Sequence, residues 1–154
     1  MENHFHNRGG WWVLFQSLLL LAVMSLGIAY RQTWHGLVFG WVGGAFLFCS
    51  AVCGISGAIT LGRNLTPFPV PAQHSTLVQN GIYGLIRHPL YTAVFCGSVG
   101  WALVWRSAPA FFAAVALGPF FTAKARREER FLREKYPEYA EYEQRVKRFI
   151  PWVY

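Results

Sequence analysis

The sequence contains no aspartate, and its seven acidic residues are all glutamates. Charged residues fill only 14% of the 154 positions, against roughly 25% in an ordinary soluble domain. Hydrophobic residues reach 54%, so the chain lacks the polar side chains that would cover the surface of a soluble fold. The same richness excludes intrinsic disorder. Three cysteines, none in a CxxC pair, exclude a secreted disulfide scaffold. What the chain does carry is a net charge of +7, from 14 Lys and Arg. Low charge and strong positive bias agree only if the cations gather at one face of a membrane protein.

Four apolar runs fit that reading. Trp11 to Tyr30 is twenty residues interrupted only by Gln16 and two serines. At 1.5 Å per residue it is about 30 Å long, the thickness of a hydrocarbon core. Trp11 and Trp12 at one end, with Tyr30 and Trp34 at the other, suit the two membrane interfaces. A cleaved signal peptide is the competing reading, but the run is long for one and we expect it to be retained. Gly36 to Leu61 follows without a charge, and Gly36, Gly40 and Gly44 predict a smooth strip packed on a neighbouring helix of the same chain. Cys49 and Cys53 are expected to be buried small residues rather than metal ligands. Leu90–Trp105 and Ala108–Ala123, sixteen residues each, predict a tight helical hairpin, with Gly118-Pro119 kinking its second arm.

The expected fold class is therefore all-α: a polytopic membrane protein with four transmembrane helices and a C-terminal cytoplasmic amphipathic helical tail. We read 1–154 as a single membrane domain. Residues 1–61 supply two helices, and 62–154 supply a cofactor-binding loop, a helical hairpin and the tail. Twelve of the fourteen cations fall on one predicted side, leaving only Arg31 and Arg106 on the other. That asymmetry places both termini in the cytoplasm. A nucleic-acid partner is not expected, because six glutamates interleave with the nine cations of the tail. His4 and His6 read as part of a frayed terminus.

Two polar clusters stand apart from this bias. Gly62 to His88 is a 27-residue connection with Pro67, Pro69 and Pro71, too long and too apolar for a plain linker. It should fold over the cytoplasmic helix ends. It closes on GIYGLIRHPLY, where Pro89 suits the first position of a helix. Arg87, His88, Tyr83 and Tyr91 would then surround a helix N-terminus, a place suited to an anion such as a carboxylate. An Arg at lipid headgroups beside a solvent-exposed cap is the bland alternative.

The second cluster follows the fourth run. Phe121, Ala125, Glu128, Leu132 and Tyr136 share one helix face, which puts Glu128 in an apolar stripe where a lone carboxylate is costly. Glu128 therefore needs a buried Arg, such as Arg63 or Arg87, or a ligand's hydroxyl or ammonium. Glu129, one position round, is expected to pair with Arg133 at the surface. Tyr139, Tyr142, Val146 and Phe149 predict an amphipathic helix on the membrane face or on the long loop.

Together, GxYxxxRHPxY and the EExxLxxxYxxYxxY…IPW tail resemble the isoprenylcysteine carboxyl methyltransferase and phospholipid methyltransferase superfamily of integral membrane enzymes. The resemblance covers about 90 residues, Gly62 to Trp152, with departures at Ile82 and Ala93. It implies an S-adenosylmethionine-dependent methyltransferase acting on a lipophilic or lipid-anchored acceptor, an isoprenylcysteine-like carboxylate or a lipid amine. Tyr83, Arg87, His88 and Tyr91 match its RHP motif, and Glu128 and Glu129 its paired glutamates. By that match Tyr83, His88, Tyr91, Glu128 and Glu129 would bind the cofactor, while Arg63, Arg87 and Glu128 would serve the reaction.

The glycine-rich fingerprint of soluble nucleotide-binding domains is missing, so the site must be built in another way. The helix start with His88 and Tyr91 suits the cofactor's carboxylate, and Glu128 or Glu129 its ribose or ammonium. Methyl transfer is an in-line displacement that depends above all on positioning. A carboxylate acceptor needs no base, whereas an amine must first lose a proton. Arg63 or Arg87 is expected to hold an acidic acceptor head while its tail enters between helices. A dinucleotide-dependent reductase and a non-enzymatic membrane subunit with a docking tail are the rival classes.

Overall fold

The computed structural model describes residues 9–70 and 75–154, and these are helical with no strand. His4, His6, Arg8 and Pro71 lie outside the described residues. Among the described residues five α-helices follow one another: α1 (Gly10–Ala29), α2 (Val38–Leu61), α3 (Pro89–Val104), α4 (Ala108–Lys135) and α5 (Tyr139–Arg145). Short 3₁₀ turns, Gly62–Asn64 and Gly81–Gly84, punctuate the long connection between α2 and α3. By length and composition α1, α2 and α4 can each cross a membrane, whereas α3, at 16 residues, is a shorter apolar helix. On α1 and α2 large apolar residues point outward: Leu21, Trp41, Phe48 and Ile59 stand exposed, as lipid-facing side chains would.

The helix ends follow local chemistry. Pro89 opens α3, where its missing N–H costs nothing. Ser107 caps α4 by accepting from Ala110 N at 3.4 Å, and its own hydroxyl donates to Leu26 O at 3.0 Å, tying the hairpin turn to the end of α1. The helix does not end with the fourth apolar run at Ala123: α4 continues past Pro119 and through the charged segment to Lys135, as the shared face of Phe121 to Tyr136 requires. Its first part belongs with the apolar bundle and its second part carries the glutamates, so one continuous helix joins both.

A core of Val23, Val99, Leu103, Ala114, Leu117 and Phe121 joins α1, α3 and α4. The tightest seam is α2 on α3. A Cβ at Gly43 would lie 2.9 Å from Val104 and 3.0 Å from the Gly100 carbonyl, and Ser50 Oγ donates to Ala93 O at 2.8 Å. The expected strip is therefore corrected. Gly40 and Gly44 face open space, with nothing within 4 Å of a Cβ. Gly43, Ser50 and Gly57 form the seam instead, recurring every seven residues on a face turned about 100° from that of Gly40 and Gly44. Cys53 is buried as expected, but Cys49 is exposed on the same helix.

Candidate active site

The two motifs meet at one end of the bundle, where the segment after α5 runs beside the start of α3. Ile86 and Lys147 form a parallel bridge. Arg87 N donates to Lys147 O at 2.9 Å and His88 N to Arg148 O at 3.0 Å. Tyr91 N and Thr92 N both turn back to His88 O at 3.1 Å. Around the helix start the N–H groups of Arg87, His88, Tyr91 and Thr92 therefore already have backbone acceptors, which leaves fewer of them for the expected anion. The pairing segment lies some sixty residues downstream, which is why local sequence does not show it.

The two glutamates exchange the places expected of them. Glu129 is fully buried and Glu128 is the partly exposed one. Arg148 grips Glu129 bidentately, Nε to Oε1 at 2.9 Å and Nη2 to Oε2 at 2.5 Å. His88 Nε2 lies 3.1 Å and Arg87 Nη2 3.2 Å from Oε1 of the same carboxylate. Arg133, the expected partner of Glu129, is bidentate to Glu143 instead, at 2.9 and 2.8 Å. Arg87 Nη1 reaches Glu143 Oε2 at 3.2 Å, so Arg87 joins the two carboxylates. Arg133 holds the Glu143 carboxyl below the ordinary carboxylate range, with Arg87 adding to the effect against partial burial. Such a network around Glu129 leaves that carboxylate no free face for a ligand.

Glu128 lies on the other side of the helix turn, where Tyr91 donates its hydroxyl to Oε2 at 2.5 Å. His88 Nδ1 is 3.8 Å from that same oxygen. The His88 ring stacks on Tyr91, with centroids 5.2 Å apart and planes 3° from parallel, and Tyr91 stacks in turn on Phe121. His88 thus stands between the glutamates, bonded to one and turned toward the other.

A cavity opens beside Glu128. Its walls combine Tyr83, Arg87, His88 and Tyr91 from the first motif with Glu128, Leu132, Tyr136, Tyr139 and Tyr142 from the tail. The long connection closes it with Asn64, Thr66, Phe68 and Ser75–Val78. The stripe Glu128–Leu132–Tyr136 is therefore a cavity wall, and Glu128 pairs there with Tyr91 rather than with Arg63 or Arg87. Tyr142 donates to Tyr83 O at 2.6 Å and Tyr136 to Ser75 O at 2.5 Å, pinning the tail to the connection. Tyr139, Tyr142 and Val146 are buried together, so α5 packs on the loop, the second of the two positions expected for it. Phe149 falls beyond α5, which ends at Arg145. Arg63 is exposed on its 3₁₀ turn and does not line the cavity.

Sequence reasoning missed three residues. Arg148 and Tyr139 were read as tail, and Lys124 as part of the basic bias. Lys124 is 1% exposed; its Nζ donates to Gln16 Oε1 at 2.6 Å and Pro67 O at 3.1 Å, and sits 5.1 Å over the Tyr91 ring. The signal was Gln16, a single amide in an otherwise apolar span, which needs a polar partner.

Fold and site together define a class: a helical membrane protein whose polar cavity is built at one end of the bundle and closed by the long connection between α2 and α3. Residues 38–139 match the phospholipid methyltransferase family. The chain belongs to that family. It is 33% identical to the cobalt-zinc-cadmium resistance protein CzcN of Cupriavidus metallidurans over 95% of this chain and 64% of that protein. It is 30% identical to the nickel-cobalt-cadmium resistance protein NccN of Alcaligenes xylosoxydans xylosoxydans, over 94% of this chain and 65% of that protein. The chain thus spans less than two thirds of the length of these two relatives. Protein-S-isoprenylcysteine O-methyltransferase A of Arabidopsis thaliana is 30% identical over 92% of this chain and 72% of its own length. These matches bear out the superfamily to which the two motifs point.

Proposed function

We propose that this chain is an S-adenosylmethionine-dependent membrane methyltransferase acting on a lipophilic acceptor, either an isoprenylcysteine-like carboxylate or a lipid amine. The observation that carries the reading is the division of labour between the paired glutamates. Glu129 is consumed by Arg87, His88 and Arg148, while Glu128 is presented to a cavity lined by both motifs. The donor set fits the cofactor: a carboxylate for hydroxyl or ammonium groups, and the aromatic walls Phe68, Tyr83 and Tyr136 for a flat base. When bound, the cofactor supplies an electrophilic methyl group on a sulfonium. The chain's own part is positional. Tyr91 fixes the Glu128 carboxylate, His88 fixes Tyr91 by stacking, and Glu129 fixes His88.

Arg87 has both terminal nitrogens in ion pairs, so exposed Arg63 is the better placed of the two to meet an acidic acceptor head. In this reading α3 completes a fourth span with α4, and the cavity and both termini face the cytoplasm. The metal-resistance names of two relatives describe those proteins. Among the described residues of this chain, no group of three or more His, Cys, Asp or Glu is placed to hold a metal ion.

Calorimetric titration of the detergent-purified protein with S-adenosylhomocysteine, and in parallel with NADPH, tests the proposal. Binding of the first alone is expected, weakened at least about tenfold in Glu128→Gln, which loses a charged contact. Absence of S-adenosylhomocysteine binding, or an affinity unchanged by both Glu128→Gln and His88→Ala, would sink it.

A further inference from the structure

Three tyrosines of the tail line the cavity, and their hydroxyls are treated differently. Those of Tyr136 and Tyr142 donate to carbonyls of the connection, Ser75 O and Tyr83 O. The hydroxyl of Tyr139 is buried and has no hydrogen-bond partner among the described residues. Arg87 shows the same pattern. Its Nη1 and Nη2 are held by Glu143 and Glu129, but Nε is buried without a partner. Buried polar atoms are nearly always bonded, so two exceptions on residues of one cavity call for a common explanation. Both atoms are donors, and burial together with the nearby Glu129 charge pushes the Tyr139 phenol up, so that it stays protonated.

Glu128, on the same cavity, has the complementary deficit. Oε2 accepts from Tyr91, and among the described residues no donor reaches Oε1. Two unpaired donors and one free carboxylate oxygen match the charged end of an α-amino acid, which presents a carboxylate beside an ammonium.

We propose that Arg87 Nε, the Tyr139 hydroxyl and Glu128 Oε1 form a subsite for an α-amino-acid zwitterion, the carboxylate on the two donors and the ammonium on Glu128. The inference rests on the methyltransferase reading, in which that zwitterion is the methionine end of the cofactor. An acceptor's carboxylate would satisfy the donors but leave Glu128 unmatched. The assignment moves the cofactor's carboxylate away from the helix start, where the N–H groups of Arg87, His88, Tyr91 and Thr92 already have backbone acceptors. It also makes Tyr139 a binding residue.

The test compares two ligands that differ only at that end, with no acceptor present. S-Adenosylhomocysteine carries the amino-acid group, whereas 5′-methylthioadenosine ends at a methylthio group. Calorimetry on Tyr139→Phe is expected to show the first weakened about tenfold and the second within about twofold of the native protein. Thermal unfolding of the ligand-free variant should be unchanged or shifted upward, because removing an unpaired buried hydroxyl relieves a cost, whereas loss of a structural hydroxyl would lower it. Native-like affinity of Tyr139→Phe for S-adenosylhomocysteine overturns the subsite and leaves the methyltransferase reading standing. Equal weakening of both ligands also overturns it, since the hydroxyl would then serve the adenosine. If the native protein binds neither, the methyltransferase reading falls and takes the subsite with it.

Discussion

Glu128 and Glu129 are adjacent, yet helical geometry turns them about 100° apart, so one meets a cavity and the other a cluster of cations. This predicts opposite phenotypes. Glu129→Gln leaves Arg87, His88 and Arg148 facing a neutral amide inside the protein, and should cost roughly 3 kcal/mol of stability in thermal unfolding. Glu128→Gln should unfold within about 0.5 kcal/mol of the native protein while losing ligand affinity. A second residue-scale test concerns Lys124 and Gln16. Lys124→Met strands the Gln16 amide and the Pro67 carbonyl, and is expected to cost about 1–3 kcal/mol. Adding Gln16→Leu should recover part of that loss in a double-mutant cycle, since it removes one of the stranded groups. The importance of these residues was partly legible: the paired glutamates and the lone Gln16 stood out in the sequence. Their partners were not, because Arg148 and Pro67 come close only in the folded chain.

At the scale of elements, the helices were legible as apolar runs and their faces were not. Gly36, Gly40 and Gly44 suggested a packing strip by spacing alone. Yet four-residue spacing recurs on several faces of a glycine-rich helix, and the neighbour chooses among them. The α2–α3 seam makes that choice testable. Gly43→Leu must displace Val104 and the Gly100 backbone and should cost about 1–3 kcal/mol or more. Gly44→Leu, facing open space, should be close to neutral in the same thermal assay. The tail adds a pH dependence. The folded-state pKa of Glu143 lies below its unfolded value of about 4.3, so the stabilisation is complete above that value and disappears as pH falls through the lowered one. The protection of the α5 amides relative to their intrinsic exchange rates should therefore fall on acidification below the unfolded-state value, and Arg133→Ala should move that onset upward.

For the whole molecule, charge placement was the most informative feature of the sequence. The positive-inside asymmetry predicts that the connection between α2 and α3 and the turn between α1 and α2 lie on opposite sides of the bilayer. Single cysteines at Asn80 and Thr33, introduced after replacing Cys49, Cys53 and Cys96, should be labelled by a membrane-impermeant thiol reagent from opposite faces of sealed vesicles. Labelling of both from one side contradicts the topology. The cavity was legible in its ingredients, since both motifs were recognisable. Its closure was not, because it depends on a backbone pairing between Ile86–His88 and Lys147–Arg148 that no local periodicity encodes.

That pairing also has a consequence in time. A chain under synthesis inserts its apolar helices in order, and Arg87 and His88 are made long before Lys147 and Arg148. Throughout that interval the motif has neither the backbone acceptors nor the guanidinium that complete its surroundings, and Glu129 lacks its bidentate partner. The pocket can therefore mature only after translation has passed Arg148, so a nascent chain halted short of that residue should be inserted in the membrane yet unable to bind ligand.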